Sequence, residues 1–307
     1  MDILMNLFLD YTFQTVALGS AFLGIISGVV GSFAVLRKQS LLGDGISHSA
    51  LPGVVMAFML TGSKHTEVLL FGAFISGLLA TLLITGIVKN SRIKFDSALA
   101  LVMSVFFGLG MVLLTYVQKI PNSNQAGLKR FIFGQASTLL KRDVHFMLIC
   151  GVILIAIVIL FWKEFKIFSF DSEYAQSIGF SNKKINLLLS FMIVLTIIIG
   201  LQTVGVILMS AMLISPAVAA RQWTNKLWVM VSLSSLFGMI SGVIGTALSS
   251  LIPKLPTGPA IVICISTIVI ISVLFAPGRG IFHRMIRRRK NKKELLDKGG
   301  NPYVSRI

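Results

Sequence analysis

Long, continuous apolar runs separated by short polar interruptions make up most of the chain. They fall near residues 12–36, 46–61, 67–88, 97–118, 144–162, 185–220, 227–252 and 257–276. A helix needs about 20 apolar residues to cross a bilayer, so most of these runs predict one transmembrane helix each. The run 185–220 is too long for one crossing, and Gly200, Gln202 and Gly205 near its middle predict a break that divides it in two. Nine spans result. A β-barrel would require alternating strands of about ten residues, which continuous apolar runs do not supply. The expected fold is an all-α integral membrane protein, a polytopic helical bundle of about eight to nine transmembrane helices.

Composition supports this reading. Apolar residues make up 55% of the 307 and charged residues only 13%, with a mean hydropathy of +0.88. No polar stretch exceeds 30 residues or so, which leaves no room for a soluble domain of useful size. The first run has neither a basic leader nor a cleavage signature and is expected to stay attached as a span. The formal charge of +17 would suggest nucleic acid in a soluble protein. Here the distribution of charge matters more than its sum, and no nucleic-acid partner is expected. With the N-terminus outside, 21 of the 28 Lys and Arg fall in cytoplasmic segments, the pattern of the positive-inside rule. Ten of them lie beyond residue 278. The chain thus divides into a transmembrane domain, 1–278, and a basic cytoplasmic tail, 279–307, suited to contact with anionic lipid. One segment dissents: 119–142 would lie outside yet carries five cations, and its centre, 131–140, reads as a re-entrant or interfacial helix. Cys150 and Cys264 sit singly in apolar runs and read as small hydrophobes.

Two features of the interruptions carry structural expectations. Gly24 with Gly28, and Gly238 with Gly242, recur at the spacing that lets two helices approach closely. Segment 163–184 is predicted to be cytoplasmic. Asp171 with Glu173 would open a short helix, 172–178, that Gly179 ends. Phe168, Phe170 and Tyr174 would then be exposed aromatics, suited to a docking surface for another protein or to an interfacial helix at headgroup level.

Chemistry is concentrated at Asp44 and His48. At i, i+4 on a helix their side chains share one face a turn apart, and a carboxylate with an imidazole is a donor pair for first-row divalent metals. Two donors do not close a site, so further ligands must come from elsewhere, a second copy, or water. Pro52 and Gly53 one turn later predict a helix break beside the pair. A second reading stands: Asp44 as the N-cap of the helix that starts here. The other ten acids lie in loops, before the first span or at span edges, as do His65, His145 and His283. An ion-gradient-driven carrier would display several intramembrane acids, and an intramembrane enzyme a nucleophile or a closed metal motif such as HExxH. A permease energised by a separate ATPase needs only an ion path and a docking helix. No G-x-x-x-x-G-K-[ST] occurs, so no P-loop ATP site is expected in the chain itself.

The run VLRKQSLLGDGISHSALPGV at 35–54 resembles the signature of the permease subunits of the manganese/zinc/iron class of ATP-binding-cassette (ABC) importers. The resemblance continues in FDSEYAQSIGF at 170–180, QTVGVILMSAMLISPAVAAR at 202–221, LPTGPAIV at 255–262 and LFAPGRG at 274–280. It implies a multi-pass protein of a prokaryotic cytoplasmic membrane. The implied assembly has a homodimeric or paired permease core, two cytoplasmic ATPase subunits and an extracytoplasmic metal-binding protein. It also implies that Asp44 and His48 lie on the metal path, and that Asp171, Glu173 and Ala175, with the aromatics Phe168, Phe170 and Tyr174, form the segment coupling transport to ATP hydrolysis. No permanently bound cofactor is expected; manganese, zinc or iron would be cargo, with manganese favoured because the pair lacks thiolate. The alternative remains a secondary metal transporter driven by an ion gradient.

Overall fold

The structure, a computed structural model, describes residues 10–62, 65–119, 139–252, 255–277, 279–285 and 287. The helices of this part are α1 (Tyr11–Leu36), α2 (Leu42–Thr61), α3 (Thr66–Asn90), α4 (Phe95–Lys119), α5 (Lys141–Leu160), α6 (Trp162–Phe170), α7 (Ser172–Ser177), α8 (Asn182–Leu201), α9 (Val206–Trp223), α10 (Leu227–Leu251) and α11 (Thr257–Phe275), with a further short helical stretch at 281–285. No strand occurs among the described residues. Most of the helix expected over 131–140, and most of the basic tail, lie outside them; residues 139 and 140 are described and are not helical.

Seven helices, α1, α3, α4, α5, α8, α10 and α11, are long and apolar enough to cross a membrane. The other two of the nine expected segments form α2 and α9, at the expected places but without the same composition-based claim to be spans. For α2 the reason is visible. Asp44, His48, Ser47, Ser49 and three glycines dilute its apolar character, and it is enclosed by α3, α4, α8 and α9.

The break in the 185–220 run falls where expected. α8 ends at Leu201 and α9 begins after Gly205, whose φ of 88° is a conformation that favours glycine. The turn lies inside the bundle: Thr203 and Val204 are fully enclosed, and Gly200 abuts Leu23, near the middle of α1. Irregular backbone at membrane depth is tolerated when buried in protein, and the Thr203 hydroxyl helps by donating to the Gly200 carbonyl at 2.9 Å.

α1 is the central helix and packs most extensively on α10. A Cβ at Gly24 would overlap the Gly238 carbonyl, and one at Gly238 the Gly24 carbonyl, while Gly242 meets the backbone at Ser20. The paired glycines therefore mark a backbone-on-backbone crossing, as their spacing predicts. Because backbone cannot yield as a side chain can, Gly24→Ala or Gly238→Ala should each cost at least the roughly 1–3 kcal/mol of an overpacked core. Gly86→Ala, where no neighbouring atom lies within 4 Å, should be neutral. Thermal unfolding of the purified variants in detergent checks the contrast.

The helix break expected at Pro52 and Gly53 is not there: α2 runs through both without interruption. Pro52 withholds the hydrogen bond its position would otherwise give the His48 carbonyl, and, one residue on, the Ser76 hydroxyl of α3 donates to the Ser49 carbonyl at 2.6 Å. The Pro52 ring packs against Gly110 of α4, and Gly53 lies backbone to backbone with Gly72 of α3. Both residues serve close helix contact.

Contacts sort the polar groups to two ends. Arg142 pairs with Glu67, Lys141 lies over the Tyr11 ring, and Gln202 donates to Asp143 at 3.0 Å, which gathers residues 11, 67, 141–143 and 202. Arg37, Phe168 and Asn186 gather separately, and Arg279 joins the Arg221 carbonyl and Asn225. The start of α1 and the segment around α6 and α7 are therefore at opposite ends.

Candidate functional site

Asp44 and His48 lie in the first two turns of α2. Leu41 occupies the N-cap position with no side-chain cap, and Asp44 follows in the first turn. Asp44 therefore does not cap the helix. Its carboxylate stays free for other partners, with only the favourable placement of an anion near a helix N-terminus.

Asp44 Oδ1 faces His48 Nε2 at 3.5 Å, too far for a strong hydrogen bond and close enough for both to reach one ion. The pair is partly open, with side-chain exposures of 40% for Asp44 and 22% for His48, so neither is sealed in the core. His48 Nδ1, by contrast, is enclosed without a hydrogen-bond partner. Nε2 is thus the ring nitrogen available to an ion. The ring is held edge-on to Phe107 of α4, with centroids 4.9 Å apart. Ser210 of α9, packed against Gly43, provides a third polar group beside the Asp44 carboxylate. Gly43 and Gly45 make this convergence possible: α9 packs against Gly43 through Ser210 and Leu213, and Leu99 of α4 packs against Gly45.

α2, α4 and α9 thus bring one carboxylate, one imidazole nitrogen and one hydroxyl together in an otherwise apolar surround. No cluster of three or more His, Cys, Asp or Glu occurs among the described residues. One chain offers two strong donors, fewer than a closed site needs. Ser210 was not singled out from the sequence. A serine in VILMSAMLISP looks like ordinary small-residue packing, and only the α2–α9 crossing shows what it faces.

The segment 163–184 is more helical than expected. α6 continues almost directly from α5 through Phe161, and α7 then begins at Ser172. Asp171 caps α7 as predicted, Oδ1 accepting from the backbone N–H of Glu173 at 3.1 Å and of Tyr174 at 2.9 Å. Gly179, with φ of 93°, follows the helix end. Phe170 and Tyr174 are exposed, but Phe168 is not: it is 5% exposed, on the face of α6 that also buries Phe165 against Phe33. The exposed aromatic set is therefore Phe170 and Tyr174, with Phe168 in the core. Ala175 is fully buried too, and the exposed side of α7 carries Glu173 and Tyr174.

Arg37 also escaped the sequence reading. It ends α1, donates to Asn186 Oδ1 at 2.6 Å and lies over the Phe168 ring at 4.3 Å. Burial pushes its pKa down to about 10, which leaves it a cation at neutral pH.

The family profile described as the ABC 3 transport family matches residues 9–276. The zinc transport system membrane protein TroC of Treponema pallidum is 49% identical over 290 residues, spanning 94% of this chain and 97% of that protein. The manganese transport system membrane protein MntC of Bacillus subtilis is 45% identical over 92% of this chain and 66% of its own length. Among solved structures, PsaBC from Streptococcus pneumoniae, in complex with Fab, superposes with a TM-score of 0.80 at 31% identity, covering 93% of this chain and 98% of that one. With the profile spanning most of the chain and TroC aligned with it nearly end to end, the chain belongs to the ABC 3 transport family.

Proposed function

We propose that the chain is the permease subunit of an ABC importer that moves manganese or zinc across a prokaryotic cytoplasmic membrane, with Asp44 and His48 as transient ligands of the ion. The observation that carries this is the partly open pair on α2, Asp44 Oδ1 and His48 Nε2 3.5 Å apart, beside Ser210. Family membership and the names of the relatives, which specify zinc in one case and manganese in another, support the cargo. An ion in transit must be bound weakly enough to leave, and a half-complete, partly open donor set is suited to that.

Separate ATPase subunits supply the energy and dock on α6 and α7. An extracytoplasmic metal-binding protein delivers the ion at the opposite end. A second copy of the chain completes the pathway, so that two Asp/His pairs provide four donors. The exposed apolar residues of α4, Leu101, Val105, Leu109 and Val112, and a largely apolar hollow of about 530 Å³ between α2, α3 and α4, offer surface that a second copy or lipid can cover. The N-terminus faces outward and the tail inward. A protease site placed in 163–184 or after residue 290 should then be cut only from the cytoplasm, and one before residue 10 only from outside; cleavage of the tail from outside would reverse the orientation.

Metal uptake by cells carrying the intact system, measured separately for Mn²⁺, Zn²⁺ and Fe²⁺, tests the proposal. The expected result is saturable uptake of Mn²⁺ or Zn²⁺ that stops on ATP depletion. Uptake that survives ATP depletion and follows the proton or sodium gradient would establish the secondary-transporter alternative. Between the two metals, the Asp/His donor set argues for manganese and the 49% identity to a zinc system protein for zinc.

A further inference from the structure

We propose that Arg37 is a positioning residue that transmits movement of the α6–α7 segment to α2 and the Asp44–His48 pair. The inference rests on the reading of α6 and α7 as the ATPase docking segment and adds the route from there to the ion.

The segment is tied together as a unit. α6 leads through the cap at Asp171 into α7, and the Asn182 side chain at the start of α8 donates to the Ser172 carbonyl at 2.7 Å. Arg37 touches this unit on both sides of α7, with its guanidinium over Phe168 of α6 and its Nη1 on Asn186 of α8. Its backbone belongs to the other partner. Arg37 closes α1 through its N–H to the Phe33 carbonyl at 3.1 Å and opens the turn 37–41 that enters α2. That turn is tightly wound: Gln39 N–H bonds the Ala34 carbonyl, Leu42 N–H the Gln39 carbonyl, and Lys38 adopts φ of 57°, rare outside glycine. A displacement of Arg37 is therefore passed to the start of α2, with Asp44 in its first turn.

Burial of a cation is costly, and Arg37 forms no ion pair among the described residues. An apolar side chain would fill the space more cheaply. The guanidinium instead provides two directional contacts at once, a planar face for the ring and a fork for the amide, which a lysine ammonium does not combine.

The test uses the full complex of permease, ATPase subunits and metal-binding protein in proteoliposomes, with Mn²⁺ as the probe. Three quantities are read: ATPase subunit retained on the permease, ATP hydrolysed, and Mn²⁺ taken up per ATP. Arg37→Met should keep the first two and lower uptake per ATP about tenfold, within the range expected of coupling contacts. Arg37→Lys should fall between Arg37→Met and the native protein. Asn186→Leu should also lower the ratio, and adding it to Arg37→Met should cost little more, because the two groups share one contact. A purely structural role would lower yield and thermal stability while leaving the ratio of assembled complexes unchanged. If Arg37→Met does not assemble, Arg37→Lys and Asn186→Leu carry the decision. Native uptake per ATP in the assembled variants overturns the proposal. Failure of the docking reading looks different: it appears as undiminished ATPase binding when Phe170 and Tyr174 are replaced, whatever Arg37 does.

Discussion

Asp44→Asn should abolish metal uptake at low external metal while the permease still assembles with its ATPase subunits. Asn preserves the shape of the side chain and removes its charge, and with it the stronger oxygen donor. Loss of a mere outer-sphere partner costs metal sites roughly 10–100-fold, so loss of one of two ligands should reach at least the upper end of that range. The structural alternative predicts little effect. Asp44 stands in the first turn of α2 and Leu41 at the cap position, so the exchange forfeits only a helix-dipole term of about 0.3–1 kcal/mol. His48→Ala should match Asp44→Asn, and the double variant should be little worse than either single one if the two act as a unit. Ser210→Ala should have a smaller effect, since a hydroxyl beside the carboxylate orients it without contributing charge. Initial rates of radioactive metal uptake, normalised to assembled complex, separate these outcomes.

The second large effect is expected at the exposed part of the coupling segment. Phe170→Ala with Tyr174→Ala should sharply reduce ATPase subunit binding and with it uptake, because aromatic anchors dominate protein interfaces, at about 2 kcal/mol or more each. Glu173→Lys should add to the loss. Phe168 has no place in this variant. It is buried beneath Arg37, and Phe168→Ala would cost about 3–5 kcal/mol of fold stability, confounding the readout. Asp171→Ala is similarly compromised, since it removes the cap of a six-residue helix at about 1 kcal/mol. Co-purification of the ATPase subunit from cells expressing the whole system is the measurement, and full retention by the Phe170→Ala/Tyr174→Ala variant would remove the docking reading.

These distinctions trace what could be read from residues alone. Apolar runs predict where helices lie because the bilayer imposes both length and composition, and the break at 202–205 is legible from its glycines. α7 is legible as well, because a cap and a terminating glycine are local signals. Burial within a polar segment is not local. Phe168 and Phe170 are indistinguishable in sequence, and only the docking of α6 on Phe33 turns one inward and leaves the other exposed. Pro52 misled for a related reason: what its ring packs against, Gly110, lies on another helix. At the site, the Asp44–His48 pair follows from helix periodicity alone, whereas Ser210 and Phe107 reach it through the crossings of α2 with α9 and α4, which no single-helix pattern encodes.

Whether the ion in transit touches His48 and Asp44 is read directly by pulsed electron paramagnetic resonance of Mn²⁺ held in the assembled complex. A ¹⁴N modulation from a directly bound imidazole is expected in the native complex, with its loss in His48→Ala and a marked fall in bound Mn²⁺ in Asp44→Asn. A ¹⁴N signal that persists unchanged in His48→Ala, with native Mn²⁺ occupancy in Asp44→Asn, would contradict that contact.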